Sequence, residues 1–165
     1  MKTIRATPYR YRSAPRPRKQ GGASIVEFAI IVPAFLLIML GIIEMSMMYF
    51  ADLTMQHAVR DGARYAITGQ SNLDPNTSNQ QRYQAVLQKI KDSSMGIYDQ
   101  VSPVVSVNGS TATSAGMFGD AGDVVVISID CTWQFSTPII SALFTDGKAR
   151  FVVAATVRNE SYGGI

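Results

Sequence analysis

The side chains that most often perform catalysis or bind metals are scarce in this chain. Cys131 is the only cysteine and His57 is the only histidine among the 165 residues. A single cysteine excludes an intramolecular disulfide and argues against a thiolate metal site. A single histidine cannot form a multi-histidine metal cluster within one chain.

Three aspartates come nearest to a cluster of acid, base and nucleophile. Asp120, Asp123 and Asp130 lie close in sequence to Ser128 and Cys131. We interpret them as residues that flank a strand. Asp120 and Asp123 belong to a glycine-rich loop, where a weak calcium site is conceivable, but their spacing lacks the ordered ligands of a calcium-binding loop. The sequence therefore predicts no enzymatic activity, no cofactor and no dedicated metal site.

Positive charge is concentrated at the N-terminus. Residues 1–20 contain seven of the fifteen Lys and Arg residues and no acid. The remainder carries eight cations against twelve acids, so the overall charge of +3 becomes −4 without this arm. A negatively charged body disfavours binding to nucleic acid, and the basic stretch Arg16-Pro17-Arg18-Lys19 is accompanied neither by interleaved aromatic residues nor by a helix to read bases. We expect no nucleic-acid partner.

A long apolar run follows the basic arm. Residues 28–43 are sixteen uncharged residues, and apolar residues extend the run towards positions 25 and 51. A helix of this length could cross a bilayer, and no convincing Ala-x-Ala cleavage site follows it. Because the cations precede the run, the positive-inside rule predicts a cytoplasmic N-terminus and an exported C-terminal domain. Pro33 predicts a kink rather than a break.

Two glutamates lie near the ends of this run. A charge in the middle of a membrane costs about 2.5 to 3.5 kcal/mol on insertion scales, so Glu27 and Glu44 need an explanation. Either each carboxylate reaches the membrane interface, or it contacts another subunit. For Glu44 both alternatives stay open.

An amphipathic helix is predicted to continue the run to about residue 68. Its apolar residues recur at intervals of three and four, which is typical of one buried helix face. Small residues at positions 58, 62 and 66 would allow close approach of another backbone, either of the chain's own sheet or of another subunit at Gly62. Arg60 and Arg64 would lie together and could bind a carboxylate.

The C-terminal part reads as a small α+β domain. A polar loop at 69–80 precedes a short helix at about 80–94, and three β-rich runs follow. These runs, at residues 101–107, 124–135 and 150–158, predict an antiparallel sheet of about three strands. In the second run, Val124, Val126 and Ser128 alternate with Val125, Ile127 and Ile129, as in a strand with two different faces. Asn108-Gly109 and Asp146-Gly147 carry turn chemistry, and the second pair is predicted to form a hairpin tip.

The junction between the basic arm and the apolar run carries a recognisable motif. Gly22 is followed by four small or apolar residues, then by Glu27 and Phe28. This pattern resembles the class III signal of pilin-like proteins, which a membrane prepilin peptidase cuts after the glycine. The resemblance implies scission between Gly22 and Ala23. The new amine on Ala23 would then lie one helical turn from Glu27, close enough to attract its carboxylate.

Further stretches resemble the TadE-like minor pilins or pseudopilins of tight-adherence pilus systems. They are the anchor sequence Val26-Glu27-Phe28-Ala29 with Pro33, Gly41-Ile42-Ile43-Glu44, Arg60-Asp61-Gly62-Ala63-Arg64-Tyr65-Ala66, and the closing Ala154-Ala155-Thr156-Val157-Arg158-Asn159-Glu160. The resemblance implies a bacterial inner-membrane protein that helps to build or prime an adhesive pilus. Its partners would be prepilin peptidase, other pilins or pseudopilins, the pilus assembly platform and membrane lipid.

These expectations divide the chain into four segments. They are a basic leader at 1–22 that is removed, a transmembrane helix at 23–51, an amphipathic stalk helix at 52–68 and an exported α+β domain at 69–165. The candidate subunit contacts are Glu27, Glu44, Arg60, Gly62 and Arg64. The alternative is an uncleaved, single-pass anchored module whose exported domain binds a ligand or partner.

Overall fold

A computed structural model describes residues 21–111, 114 and 116–161 of the chain. The predicted basic leader therefore lies outside the described residues, except for its last two positions. The described elements are a 46-residue helix, a short helix and a three-stranded antiparallel sheet, which confirms the predicted α+β class. The chain divides into two compact units between Leu37 and Ile38.

The first helix, α1, spans Gly21–Ala66. It continues through Pro33 without a break, as the sequence predicted, because a helix in an apolar setting tolerates the loss of one backbone donor. In the first unit, its side chains from Ser24 to Leu37 are exposed or half-buried. In the second unit, its face bearing Ala51, Met55, Val59 and Ala63 is buried in the core.

The second helix, α2, spans Arg82–Ser93, close to the predicted bounds. Ala85, Val86 and Ile90 form its buried face. Ala85 and Val86 are adjacent, and Ile90 follows Val86 by four positions. All three therefore lie on one side of a helix with 3.6 residues per turn. This side packs into the same core as α1.

The sheet consists of β1 at Val104–Val107, β2 at Val124–Gln134 and β3 at Lys148–Arg158, in the order β1-β2-β3. The predicted alternation along β2 is confirmed, because Val125, Ile127, Ile129 and Cys131 are buried while Val124 is exposed. β1 begins three residues later than predicted. Its neighbour on the N-terminal side, Pro103, has no backbone N–H to donate to a strand ladder.

The Asn108-Gly109 turn is confirmed. Both residues have positive φ, 51° and 80°, as a tight two-residue turn requires, and Val107 pairs with Ser110 across it. The Asn108 side chain accepts a hydrogen bond from the N–H of Val126 at 2.9 Å, which attaches the turn to β2.

The connection between β2 and β3 differs from the predicted hairpin tip. Residues 135–147, here called the apolar connection, contain a one-turn helix α3 at Pro138–Ser141 and a 3₁₀ turn at Thr145–Gly147. Pro138 occupies the first turn of α3, where the missing N–H does not matter. The predicted turn at Asp146-Gly147 is present, with positive φ at both residues, but the residues before it fold into a helix.

Candidate anchoring and assembly site

The proposed processing residues lie at the N-terminal end of the described residues. Gly21 is the first described residue of α1, and the Gly22–Ala23 bond lies within the helix. Gly22 is exposed, and a Cβ added to it would meet no other heavy atom within 4 Å. Glu27 and Phe28 are also exposed, with Phe28 at 69%. The structure thus places Glu27 about one turn beyond the predicted new N-terminus.

The apolar part of α1 has the length and composition of a membrane span. Among the described residues, α1 is the one helix long and apolar enough to cross a bilayer. Its large apolar side chains are widely exposed in both units, including Ile30, Phe35, Ile38 and Ile42. Exposed apolar surface of this extent on all sides of a helix is stable only in lipid or against other subunits.

Glu44 is bound by the chain's own domain. Its Oε1 accepts hydrogen bonds from the backbone N–H groups of Ser136 at 3.0 Å and Thr137 at 2.6 Å. Its Oε2 is buried without a hydrogen-bond partner among the described residues. Glu44 therefore fastens the apolar connection to α1, an interaction that neither alternative from the sequence included.

Gly62 also contacts its own chain. A methyl group added at this position would overlap Ile90 Cγ1 of α2 and lie 2.9 Å from its Cδ1. The neighbouring Asp61 accepts a hydrogen bond from Ser93 Oγ at 3.1 Å and forms an ion pair with Lys89 at 3.7 Å. The small residue at position 62 thus brings α1 and α2 together. The contact is within the chain, but it is with α2 and not with the sheet that the intrachain alternative named, and Gly62 is not open to another subunit here.

Arg60 and Arg64 lie on the exposed side of the same helix turn. Together with Ala63 they line a groove of about 340 Å³ whose other wall is residues 154–157 of β3. Both arginines are exposed, and within the described part of the chain neither guanidinium has a hydrogen-bond or ion-pair partner. Two unpaired guanidinium groups one turn apart are suited to a carboxylate ligand.

A family model for TadE-like proteins matches residues 22–64. This segment is similar to TadE-like proteins. It includes the Gly22–Phe28 motif, the apolar run, Glu44 and the Arg60–Arg64 turn. No curated protein and no solved structure matches the chain significantly.

The TadE-like segment and the candidate membrane helix together support a membrane protein associated with a tight-adherence pilus. A single apolar helix near the N-terminus suggests single-pass anchoring. Pilus components are the partners that this family suggests. The sheet and α2 lie outside the matched segment, so their packing rests on the geometry alone.

Sequence analysis missed the polar network that joins the TadE-like helix to the rest of the domain. Arg82 donates to the carbonyl of Ala66 at 2.7 and 3.2 Å, to that of Gly119 at 2.8 Å and to Asn159 Oδ1 at 2.9 Å. Asn159 is 4% exposed and donates through Nδ2 to the carbonyls of Phe118 and Asp120. Ala66 is the last residue of α1, so Arg82 caps its C-terminus.

The residues with catalytic side chains do not come together. Cys131 is buried, and burial raises the pKa of its thiol to about 12, with the charges of Asp130 and Asp52 adding to the effect. The thiol is therefore protonated at neutral pH and a poor nucleophile. Asp123 accepts a hydrogen bond from the N–H of Asp120 at 2.8 Å, and the described residues contain no group of three or more potential metal ligands.

Proposed function

We propose that the chain is a minor pilin or pseudopilin that helps to assemble or prime a tight-adherence pilus, in a structural rather than a catalytic role. The observation that carries the proposal is the position of the Gly22–Ala23 bond, directly before the exposed apolar part of an unbroken helix. Cleavage there by a prepilin peptidase would remove the basic leader and leave the membrane anchor intact. The anchor would hold the protein in the bacterial inner membrane, with the domain on the periplasmic side.

Two glycines beside the predicted scissile bond suit the approach of a protease. Each glycine in a helix costs about 1 kcal/mol relative to alanine. The segment that contains Gly21 and Gly22 therefore unwinds into an extended substrate more easily than the apolar residues after it. After cleavage, the amine of Ala23 and the carboxylate of Glu27 would attract each other by about 4 kcal/mol at 4 Å and an effective dielectric constant near 20, before desolvation.

Substitution of Gly22 by valine is expected to block processing. A β-branched side chain beside the scissile bond prevents the close backbone approach that glycine permits. The measurement is the N-terminus of the protein isolated from cells with an active prepilin peptidase. The wild-type chain should begin at Ala23, whereas the Gly22→Val chain should retain its leader.

Gly21→Val is the matched control, because it introduces the same side chain one residue before the predicted bond and should still be cleaved. An intact Met1 terminus in the wild-type protein would contradict the proposal. That result would favour the alternative, an uncleaved anchored module with a binding domain.

The groove beside Arg60 and Arg64 is the part of the domain best suited to a subunit contact. Both guanidinium groups are exposed at one side of it, and β3 forms the other side as an outer strand of the sheet. An acidic side chain from a neighbouring pilin could accept hydrogen bonds from both arginines, and an extended segment that carries it could pair with the outer side of β3.

A photocrosslinking side chain at position 64 is expected to capture a pilus component in intact cells. The captured protein should be a second copy of this chain or another pilin, identified by mass spectrometry, and the product should disappear with Gly22→Val. Arg150 is the matched control, because it is an exposed arginine on β3 outside the groove. Equal products from positions 64 and 150 would argue against a specific contact at the groove.

A further inference from the structure

A second apolar surface lies beside the anchor, on the apolar connection between β2 and β3. No charged residue occurs between Asp130 and Asp146. Ile139 is 56% exposed and Leu143 is 77% exposed, the highest value for any large apolar side chain that the structure describes. An exposed apolar patch without charges marks a contact with lipid or with another protein.

Hydrogen bonds and packing fix the height of this connection along α1. Glu44 accepts from the N–H groups of Ser136 and Thr137 just before α3. Ile140 of α3 lies opposite Gly41, where an added methyl group would come 3.5 Å from Ile140 Cδ1. Gly41 precedes Glu44 by three residues, or about 4.5 Å along the helix. The connection therefore lies beside the last turn of the apolar run, not beyond it.

The end of the hydrocarbon layer lies at the same height along α1 as the apolar connection. The apolar stretch of residues 25–43, interrupted by Glu27 near its start, corresponds to about 28 Å of helix, close to the thickness of a bilayer core. Aromatic residues follow on α1, where Tyr49 and Phe50 are exposed. Trp133 of β2 lines a small cavity with Ile43, Glu44 and Ser136. Tyr and Trp favour the membrane–water interface, so Tyr49 and Trp133 mark the level of that interface. α3, which lies opposite Gly41, is therefore on the lipid side of it.

The backbone of the apolar connection is hydrogen-bonded internally, so the connection can enter the membrane. The N–H groups of Ser141, Ala142, Leu143 and Phe144 all donate to carbonyls within the connection. Phe135 stacks on Phe144 with 4.3 Å between ring centroids. Satisfied backbone groups lower the cost of leaving water, which otherwise prevents irregular loops from entering a membrane.

From these observations we infer that α3 and Leu143 form a second membrane contact, with Ile139 and Leu143 inserted between lipid acyl chains. The absence of cations in the connection means that insertion depends on apolar burial rather than on anionic headgroups. The contact would hold the domain against the bilayer at a second point besides α1. This inference rests on membrane anchoring and not on a role in pilus assembly.

Quenching of tryptophan by brominated acyl chains tests the contact. The full chain carries Trp133→Phe, to remove its one tryptophan, together with Leu143→Trp, and is reconstituted in phosphatidylcholine vesicles. Brominated lipid should reduce the emission of this variant at least about twofold, because an inserted indole touches the acyl chains. An equal fraction of anionic lipid should leave the reduction unchanged.

Two control variants separate this contact from the anchor. Val124→Trp places the probe on an exposed residue at the far end of β2, roughly 33 Å of strand from Gln134, and should not be quenched. Phe35→Trp places it in the apolar run and should be quenched. Quenching at position 35 without quenching at 143 would overturn the inference while leaving the anchor intact. A blue-shifted but unquenched signal at 143 would also overturn it, and would indicate a protein partner.

Discussion

Replacing Gly62 by leucine is expected to unfold the domain at temperatures at which the wild-type protein is folded. Even the first carbon of the new side chain would overlap Ile90 of α2, and both residues are buried between helices that cannot separate without exposing the core. Overpacking of this kind costs about 3 kcal/mol, at the upper end of the usual range. For a domain of this size that corresponds to a loss of roughly 10–20 °C in melting temperature.

Circular dichroism of the detergent-solubilised full chain measures this loss, and two further variants establish its cause. Ile90→Ala removes the overlapping atoms, so Gly62→Leu with Ile90→Ala should be less destabilised than the sum of the two single changes. Gly116→Leu is the control for adding the same side chain, because nothing lies within 4 Å of that position. Full stability of Gly62→Leu alone would contradict the packing of α1 against α2.

Replacing Arg82 by methionine is expected to cause the second large loss of stability. The guanidinium group donates to the carbonyls of Ala66 and Gly119 and to the side chain of Asn159, and methionine leaves all three acceptors without it. Each buried acceptor that loses its partner costs about 1–3 kcal/mol, less where water replaces the donor. We expect a total of about 2–4 kcal/mol, since Arg82 is half-buried.

Urea unfolding of the full chain measures this cost, with Arg82→Lys and Arg150→Met as comparisons. Lysine keeps the charge but cannot reach three separate acceptors from one planar group, so Arg82→Lys should recover only a small part of the loss. Arg150→Met makes the same substitution at an exposed position on β3 and should be nearly neutral. If Arg82→Lys had the stability of the wild-type protein, the positive charge alone would be sufficient, and the planar guanidinium group with its several N–H donors would not be needed.

The elements that the sequence predicted well are those with a strong local signal. The apolar run predicted α1, and the alternation of Val125, Ile127 and Ile129 predicted the buried face of β2. The Asn108-Gly109 turn followed from the two residue types that best tolerate positive φ. In each case the residues that determine the structure lie within a few positions of one another.

The interactions that sequence analysis missed join residues far apart in the chain. Glu44 bonds to Ser136 across 92 positions, and Arg82 bonds to Asn159 across 77. No periodicity or turn motif signals such a pair, because its two members meet only after the sheet has formed. Similarly, the small size of Gly62 indicated a close approach, but only the structure shows that Ile90 fills the space.

The burial of one face of α1 has a consequence for cotranslational folding. Ala51, Met55, Ala58 and Val59 are fully buried in the completed core, yet the ribosome makes them before any residue of α2 or the sheet. β3, which supplies Val153 to the same core, is synthesised after the other described elements. Until then the nascent helix carries an unshielded apolar stripe, which is prone to aggregation unless a chaperone or the bilayer surface covers it.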